Sequence, residues 1–112
     1  MLNILKIIAA AATVITGLYS LFVPRRVRDF TGLKMPSGRG VTEVRSILGG
    51  LFVAVGATPI LFTSPDMYLM LGIMYLVVAA VRAVSMFVDQ SLVSSNTISL
   101  AVEVIFGFIL VL

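Results

Sequence analysis

The chain contains no cysteine, no histidine and no tryptophan, and only 12% of its 112 residues are charged. Without cysteine or histidine it lacks the side chains for disulfides, thiolate nucleophiles, most structural zinc sites, imidazole bases and the common axial ligands of haem. These absences exclude many classes of enzyme, and we expect a protein with no catalytic residue, no metal site and no cofactor. The residues still leave room for a bound lipid or quinone-like molecule.

Apolar residues make up 60% of the sequence and fall into four long stretches. We expect membrane spans at about residues 4–23, 44–62, 67–88 and 98–112, within one domain over residues 1–112. A helix of about twenty residues crosses a hydrocarbon core of about 30 Å, and only the fourth stretch, of about fifteen, is shorter. The sequence therefore predicts an all-α integral membrane fold, a bundle of four transmembrane helices.

Most basic residues lie in the first connection, which we place at residues 24–43. They are Arg25, Arg26, Arg28, Lys34 and Arg39. The next two connections have no basic residue, so the positive-inside rule puts the first connection in the cytoplasm and both termini outside. We interpret the five side chains as contacts to anionic lipid headgroups rather than to nucleic acid, because no aromatic residues suited to base stacking alternate with them. Within this connection, Pro36–Gly40 is expected to form a flexible turn.

A few ionisable residues fall inside or beside the apolar stretches, where a charge costs about 2.5–3.5 kcal/mol near a helix centre. Arg45 lies at the start of the second stretch, Arg82 near the end of the third and Glu103 near the start of the fourth. We expect Arg82 and Glu103 at matching depth on adjacent antiparallel helices, about 8–10 Å from one boundary. The sequence thus predicts an intramembrane polar network of this pair with Glu43, Arg45 and Asp89.

Small and polar residues share helical faces with these charges, at the spacing that brings side chains onto one side of a helix. The four faces, in chain order, are Thr13, Thr16, Gly17 and Ser20; Arg45, Gly49, Phe52 and Gly56; Tyr75, Ala79, Arg82, Ser85, Met86 and Asp89; and Ser99, Glu103 and Gly107. Small residues let membrane helices approach closely. We expect these faces to point into the bundle.

Local signals predict where some spans begin and end. Asp66 is expected to cap the third span, and Asn96 or Thr97 the fourth, because short polar side chains favour helix starts. Pro59 is expected to kink or end the second span, since proline lacks the backbone N–H that a helix interior needs.

Several of these residues together resemble one family. The pattern is Glu43, Arg45, Gly49, Gly50 and Gly56, then Arg82, Ser85 and Asp89, then Glu103. It resembles a bacterial family of small four-span membrane proteins, of the domain-of-unknown-function 4345 type. The resemblance implies a four-helix fold in the bacterial inner membrane and a shared role for Arg45, Arg82, Asp89 and Glu103, but no activity or substrate. Gln90 departs from the pattern, because a glycine is expected after Asp89.

Three interpretations of Arg82 and Glu103 are open. In the first, the pair is a clasp that fixes the register of the third and fourth spans. In the second, Glu103 titrates a proton or binds a ligand in a cavity, with Arg82 as its partner. In the third, the residues never meet and Arg82 snorkels to the headgroups.

The first two interpretations of the pair suit different functions. A clasp suits a non-enzymatic accessory or scaffold subunit that packs against membrane lipids and against a larger membrane complex or, as a homo-oligomer, itself. A cavity carboxylate suits the binding of a lipophilic ligand or the transport of a small solute with Glu103 and Arg82.

Overall fold

The computed structural model describes residues 2–34 and 37–112, apart from the side chains of Arg28 and Phe30. Within these residues the chain is all-α and has no strand. The helices are α1 (Leu2–Phe22), α2 (Arg28–Thr31), α3 (Gly38–Phe62), α4 (Pro65–Val88) and α5 (Ser94–Val111), with a 3-10 turn at Pro24–Val27. By length and composition α1, α3, α4 and α5 can each cross a membrane. The expected all-α fold with four spanning helices is confirmed, and the protein is a small multi-pass membrane protein.

The second span begins at Gly38, well before the predicted start at Val44. Ser37 caps this helix, because its hydroxyl accepts a hydrogen bond from the Gly40 backbone N–H at 3.3 Å. The basic connection expected over residues 24–43 is correspondingly shorter, and its last part is the first turns of α3.

The prediction of a flexible turn over Pro36–Gly40 is wrong for the glycines of this segment. Pro36 lies outside the described residues, but Gly38–Gly40 belong to the first turn of α3. Glycine is a poor helix former, which is why the sequence pattern favours a turn here. The helix is supported at this point by an ion pair between Arg39 and Glu43, 3.6 Å apart at i, i+4 spacing.

The hydrogen-bond pattern of α3 changes in its middle. The helix is α-helical over Gly38–Val44 and Phe52–Phe62, and π-helical over Arg45–Leu51. It continues through Pro59, so the proline does not end it. It ends at Thr63, whose φ of 49° is left-handed. Stretches of π-helix are rare and are often found at functional sites.

Residues 10–63 form one compact unit, in which α1 and α3 pack through small residues. A Cβ atom added to Gly56 would lie 2.8 Å from the carbonyl oxygen of Ala10. A Cβ atom added to Gly49 would lie 3.1 Å from the Cα atom of Leu21. Both distances are too short for an unstrained contact, so the glycines allow the two backbones to approach closely, as small residues do in membrane helix pairs.

The polar face predicted on α1 is largely buried. Thr13 and Ser20 are fully buried, and Gly17 between them is buried too. Thr16 lies at the edge of this face and is exposed. Its hydroxyl donates a hydrogen bond to the carbonyl oxygen of Ala12 at 2.9 Å, so it needs no partner on another helix.

The other compact unit comprises residues 64–112 and the start of α1 up to Ala9. Here α4 and α5 also pack through glycines. A Cβ atom on Gly72 would lie 2.7 Å from the Cβ atom of Leu110, and one on Gly107 would lie 2.5 Å from the Cδ2 atom of Leu76. These contacts fix the antiparallel register of α4 against α5.

The helix caps differ from the predicted ones. Ser64, not Asp66, caps α4, and its hydroxyl accepts a hydrogen bond from the Met67 N–H at 3.4 Å. Asp66 lies in the first turn, where its charge complements the helix dipole. α5 begins at Ser94 without a side-chain cap, so neither Asn96 nor Thr97 has the predicted role. With 18 residues, α5 spans about 27 Å and is longer than expected.

Candidate functional site

The candidate site lies between α4 and α5, on the faces that the sequence predicts to point inward. Tyr75, Ala79 and Met86 of α4 are buried, and Glu103 of α5 is buried as well. The ring of Tyr75 meets the ring of Phe106 edge-on, with centroids 5.6 Å apart and planes at 90°. Because the register is set by these contacts and by the glycines, Arg82 comes to lie opposite Glu103.

Arg82 and Glu103 form a bidentate ion pair, which we call the clasp. Nε of Arg82 donates to Oε1 of Glu103 at 2.8 Å, and Nη2 donates to Oε2 at 2.8 Å. The side chain of Arg82 is 30% exposed and that of Glu103 is 11% exposed. This fork geometry is the strongest hydrogen-bonding arrangement available to an arginine and a carboxylate.

Asn96 extends the clasp, a role that the sequence reasoning missed. Its side-chain oxygen accepts a hydrogen bond from Nη1 of Arg82 at 2.9 Å, and its amide nitrogen donates to the Ser91 carbonyl oxygen at 2.9 Å. The spacing in the sequence could have indicated this role, because Asn96 lies two helical turns before Glu103 on the same face of α5. The clasp thus ties both helices to the connection between them.

The polar groups of the clasp are satisfied within the protein. Both carboxylate oxygens of Glu103 accept from Arg82, and each nitrogen of the guanidinium donates at least once. Across the described part of the chain, no buried side-chain nitrogen or oxygen lacks a hydrogen-bond partner. Such an arrangement holds two helices together without an external ligand.

A groove of about 360 Å³ opens beside the clasp. Its lining residues are Val77, Val78, Val81, Arg82, Ser85, Met86, Ser91 and Asn96. The walls are mostly apolar, and Arg82 is the ionisable residue among them. Glu103 is not part of the lining, so the groove presents a cation and hydrogen-bonding groups rather than a carboxylate.

Glu43 and Arg45 of the predicted network have other partners. Glu43 forms its ion pair with Arg39, and both side chains are largely exposed. Arg45 donates from Nε to the carbonyl oxygen of Leu21 at 3.1 Å, within the unit of residues 10–63. Among the described contacts Glu43 pairs with Arg39 rather than with Arg45, because Arg39 lies one helical turn away on the same face.

Asp89 lies at the end of α4 and is exposed. Its carboxylate accepts a short hydrogen bond from the Ser85 hydroxyl one turn earlier. Its hydrogen bond is thus local to the end of α4, and among the described contacts it makes no ion pair with Arg82. Of the five residues in the predicted network, the structure brings together Arg82 and Glu103.

The five basic residues assigned to lipid headgroups occupy different surroundings. Arg25 and Arg26 are exposed in the 3-10 turn after α1, and Lys34 is exposed in the connection before α3. Arg39 belongs to α3 and is paired with Glu43. The side chain of Arg28 lies outside the described residues.

Comparisons with known proteins add no relative. No family model matches the sequence, and neither curated proteins nor solved structures give a significant match. The resemblance to the 4345-type family therefore stays a prediction. Among the residues that the structure describes, no three aspartate or glutamate side chains cluster as a metal site would require.

Proposed function

We propose that the protein is a non-enzymatic accessory or scaffold subunit of a bacterial cytoplasmic membrane, where it packs against a membrane partner or a second copy of itself. The supporting observation is that the hydrogen-bonding groups of the clasp are satisfied by one another. Glu103 gives both of its oxygens to Arg82 and is 11% exposed. A carboxylate held in this way fixes the register of α4 and α5, and it is not presented to a ligand.

The exposed surfaces of the helices suit packing within a membrane. On α5, Val102, Ile105 and Phe108 are exposed and apolar. On α1 and α3, Ile15 and Leu61 are exposed as well. In this proposal the connection before α3 faces the cytoplasm, as its basic residues indicate, and both termini lie outside.

Photo-crosslinking in the native membrane tests the scaffold proposal. A photoreactive amino acid is placed singly at Ile15, Leu61, Val84 and Ile105, all of which are exposed in the structure. We expect at least one position to give a discrete protein adduct of constant mass, either with a second copy or with one larger protein. If every position gives only lipid adducts, the proposal is wrong.

The groove beside the clasp favours a second candidate, the binding of a lipophilic molecule whose head accepts hydrogen bonds. Arg82, Ser85, Ser91 and Asn96 are the polar residues that such a head would meet, and three valines and Met86 line the remainder. Transport with Glu103 as the working carboxylate has less support, because Glu103 does not line the groove.

Filling the groove tests this second candidate. Val78→Trp places an indole in the lining, whereas Ile73→Trp places it on an exposed part of α4 outside the groove. If a lipophilic molecule occupies the groove, it co-purifies with the wild type and with Ile73→Trp and is lost from Val78→Trp. Equal retention by both variants would exclude the groove as its site.

A further inference from the structure

A second pocket, of about 270 Å³, lies within the unit of residues 10–63, where α1 ends. Its lining residues are Phe22, Val23, Pro24, Arg25, Arg26 and Arg45. Half of this lining is arginine, and no acidic residue contributes to it. The pocket lies at the end of a helix of spanning length, which is where lipid headgroups meet a membrane protein.

Arg45 is held in place at this pocket by the end of α1. Its Nε donates to the carbonyl oxygen of Leu21 at 3.1 Å, one of the last-turn carbonyls that have no partner inside the helix. Its two terminal nitrogens make no protein hydrogen bond among the described residues. The π-helical segment of α3 begins at Arg45, and Gly49 one turn later packs on Leu21, so this part of α3 lies directly against the end of α1.

Two carbonyl groups at and just after the end of α1 accept hydrogen bonds from the protein itself. Leu21 already accepts from Arg45, and the carbonyl oxygen of Val23 accepts from the Arg26 backbone N–H at 3.1 Å. These hydrogen bonds, and the positive charge of Arg45, reduce the repulsion that the negative end of the helix dipole exerts on an anion.

The three arginines of the pocket have no carboxylate partner in the described part of the chain. The ion pairs there join Arg39 to Glu43 and Arg82 to Glu103. Three positive charges beside one small pocket repel one another, and an anion relieves this repulsion. The guanidinium group matches phosphate oxygens in geometry as well as in charge.

We propose that Arg25, Arg26 and Arg45 bind the phosphate group of one anionic phospholipid. A soluble phosphate would offer the arginines the same anionic group, but the apolar residues that line the rest of the pocket favour a lipid. Phe22 and Val23 are exposed and apolar, and they continue the membrane-facing surface of α1 to the rim of the pocket. Acyl chains lie along such a surface, whereas an inorganic phosphate gains nothing from it.

This site differs from a diffuse attraction of a basic loop to a charged membrane. Lys34 and Arg39 carry the same charge in the same region but do not line the pocket. A diffuse attraction weakens equally when any two charges are removed, whereas a built site depends on the arginines that form it. The chain therefore supplies its own matched control.

Native mass spectrometry of the full chain in mixed nanodiscs tests the proposal, with phosphatidylglycerol and phosphatidylcholine as probes. The test variant is Arg25→Gln with Arg26→Gln, and the control is Lys34→Gln with Arg39→Gln, so each loses two positive charges. We expect one retained phosphatidylglycerol on the wild type and the control. We expect its affinity for the test variant to fall about 10- to 30-fold, since each basic contact is worth about fivefold. Arg45→Gln is a third variant, expected to lose the lipid if it remains folded.

Three outcomes would overturn the site. Equal losses in the test and control variants would show a diffuse attraction. Equal retention of phosphatidylcholine and phosphatidylglycerol would show that the charge of the headgroup is not recognised. A third outcome concerns two competitors, glycerol phosphate and a phospholipid with the same phosphate group. If both displace the bound lipid at the same millimolar concentration, the acyl chains contribute nothing and the site is one for a soluble phosphate.

Discussion

The side chain of Arg82 joins α4 to α5, and Asn96 extends the contact to the loop between them. It donates to Glu103 through Nε and Nη2 and to Asn96 through Nη1. A charge inside a membrane helix is tolerated when it is paired and hydrogen-bonded in this way. The energetic consequence is asymmetric, because removing one partner leaves an uncompensated charge whereas removing both does not.

Replacing Glu103 by glutamine is the simplest test of this asymmetry. Glu103→Gln leaves the guanidinium of Arg82 without its anion, and we expect the free energy of unfolding in micelles to fall by about 1–3 kcal/mol. This lies between the values for buried and exposed pairs, because the side chain of Arg82 is 30% exposed. Asp89→Asn is the control: it removes an exposed carboxylate at the end of α4 but keeps a side-chain oxygen that can accept from the Ser85 hydroxyl, so the expected change is within about 0.5 kcal/mol.

The joint replacement Arg82→Met with Glu103→Leu completes the series. It removes both charges together, so we expect it to recover most of the stability lost in Glu103→Gln. A double variant that is less stable than Glu103→Gln would contradict the structural role of the clasp.

At the scale of the helices, glycine spacing was the most informative part of the sequence. The predicted faces that carry Gly49 and Gly56 on α3 and Gly107 on α5 are the faces that pack on a neighbouring helix. Helix starts were predicted less well. The start of α3 depends on a serine cap and an i, i+4 ion pair around two glycines, and these local contacts outweigh the low helix propensity that the sequence pattern shows.

Substitutions at two glycines of α3 can distinguish the contribution of close helix packing from that of helix propensity. A Cβ atom on Gly56 would lie 2.8 Å from a backbone oxygen of α1, whereas one on Gly50 has only open space and a contact at 3.9 Å. We expect Gly56→Ala to lower the free energy of unfolding by about 1–3 kcal/mol through overpacking. We expect Gly50→Ala to leave it unchanged or to raise it by up to about 1 kcal/mol. Equal effects at the two positions would contradict the packing of α1 on α3.

The residue after Asp89 has a left-handed backbone conformation, and here a substitution to glycine is expected to stabilise the protein. Gln90 has a φ of 52°, a conformation that glycine adopts without cost. Gln90→Gly is therefore expected to stabilise the protein by about 0.5–1 kcal/mol in the same unfolding assay. Ser91→Gly is the control and is expected to be neutral or destabilising, because Ser91 does not have a positive φ. A destabilising Gln90→Gly would show that the glutamine side chain has a role of its own.

For the whole molecule, hydropathy predicted four spans, and charge spacing brought Arg82 and Glu103 to one place. The contacts of Glu43, Arg45 and Asp89 could not be predicted, because each was decided by a neighbour within a turn or by a backbone group. Arg45 donates to a carbonyl oxygen of α1, which has no signature in the sequence. The hydrogen bond of Asn96 with Arg82 was not predicted, because asparagine also favours helix caps and Asn96 lies near the start of a span.

The central claim is that the clasp is structural and that the protein works by packing with another protein chain. Native mass spectrometry of the protein released gently from its own membrane tests this most directly. We expect a fixed stoichiometry with a second copy or with one other protein, and the same assembly for the variant Arg82→Met with Glu103→Leu. A monomer whose only bound companion is a lipophilic molecule, lost on Glu103→Gln, would contradict the claim.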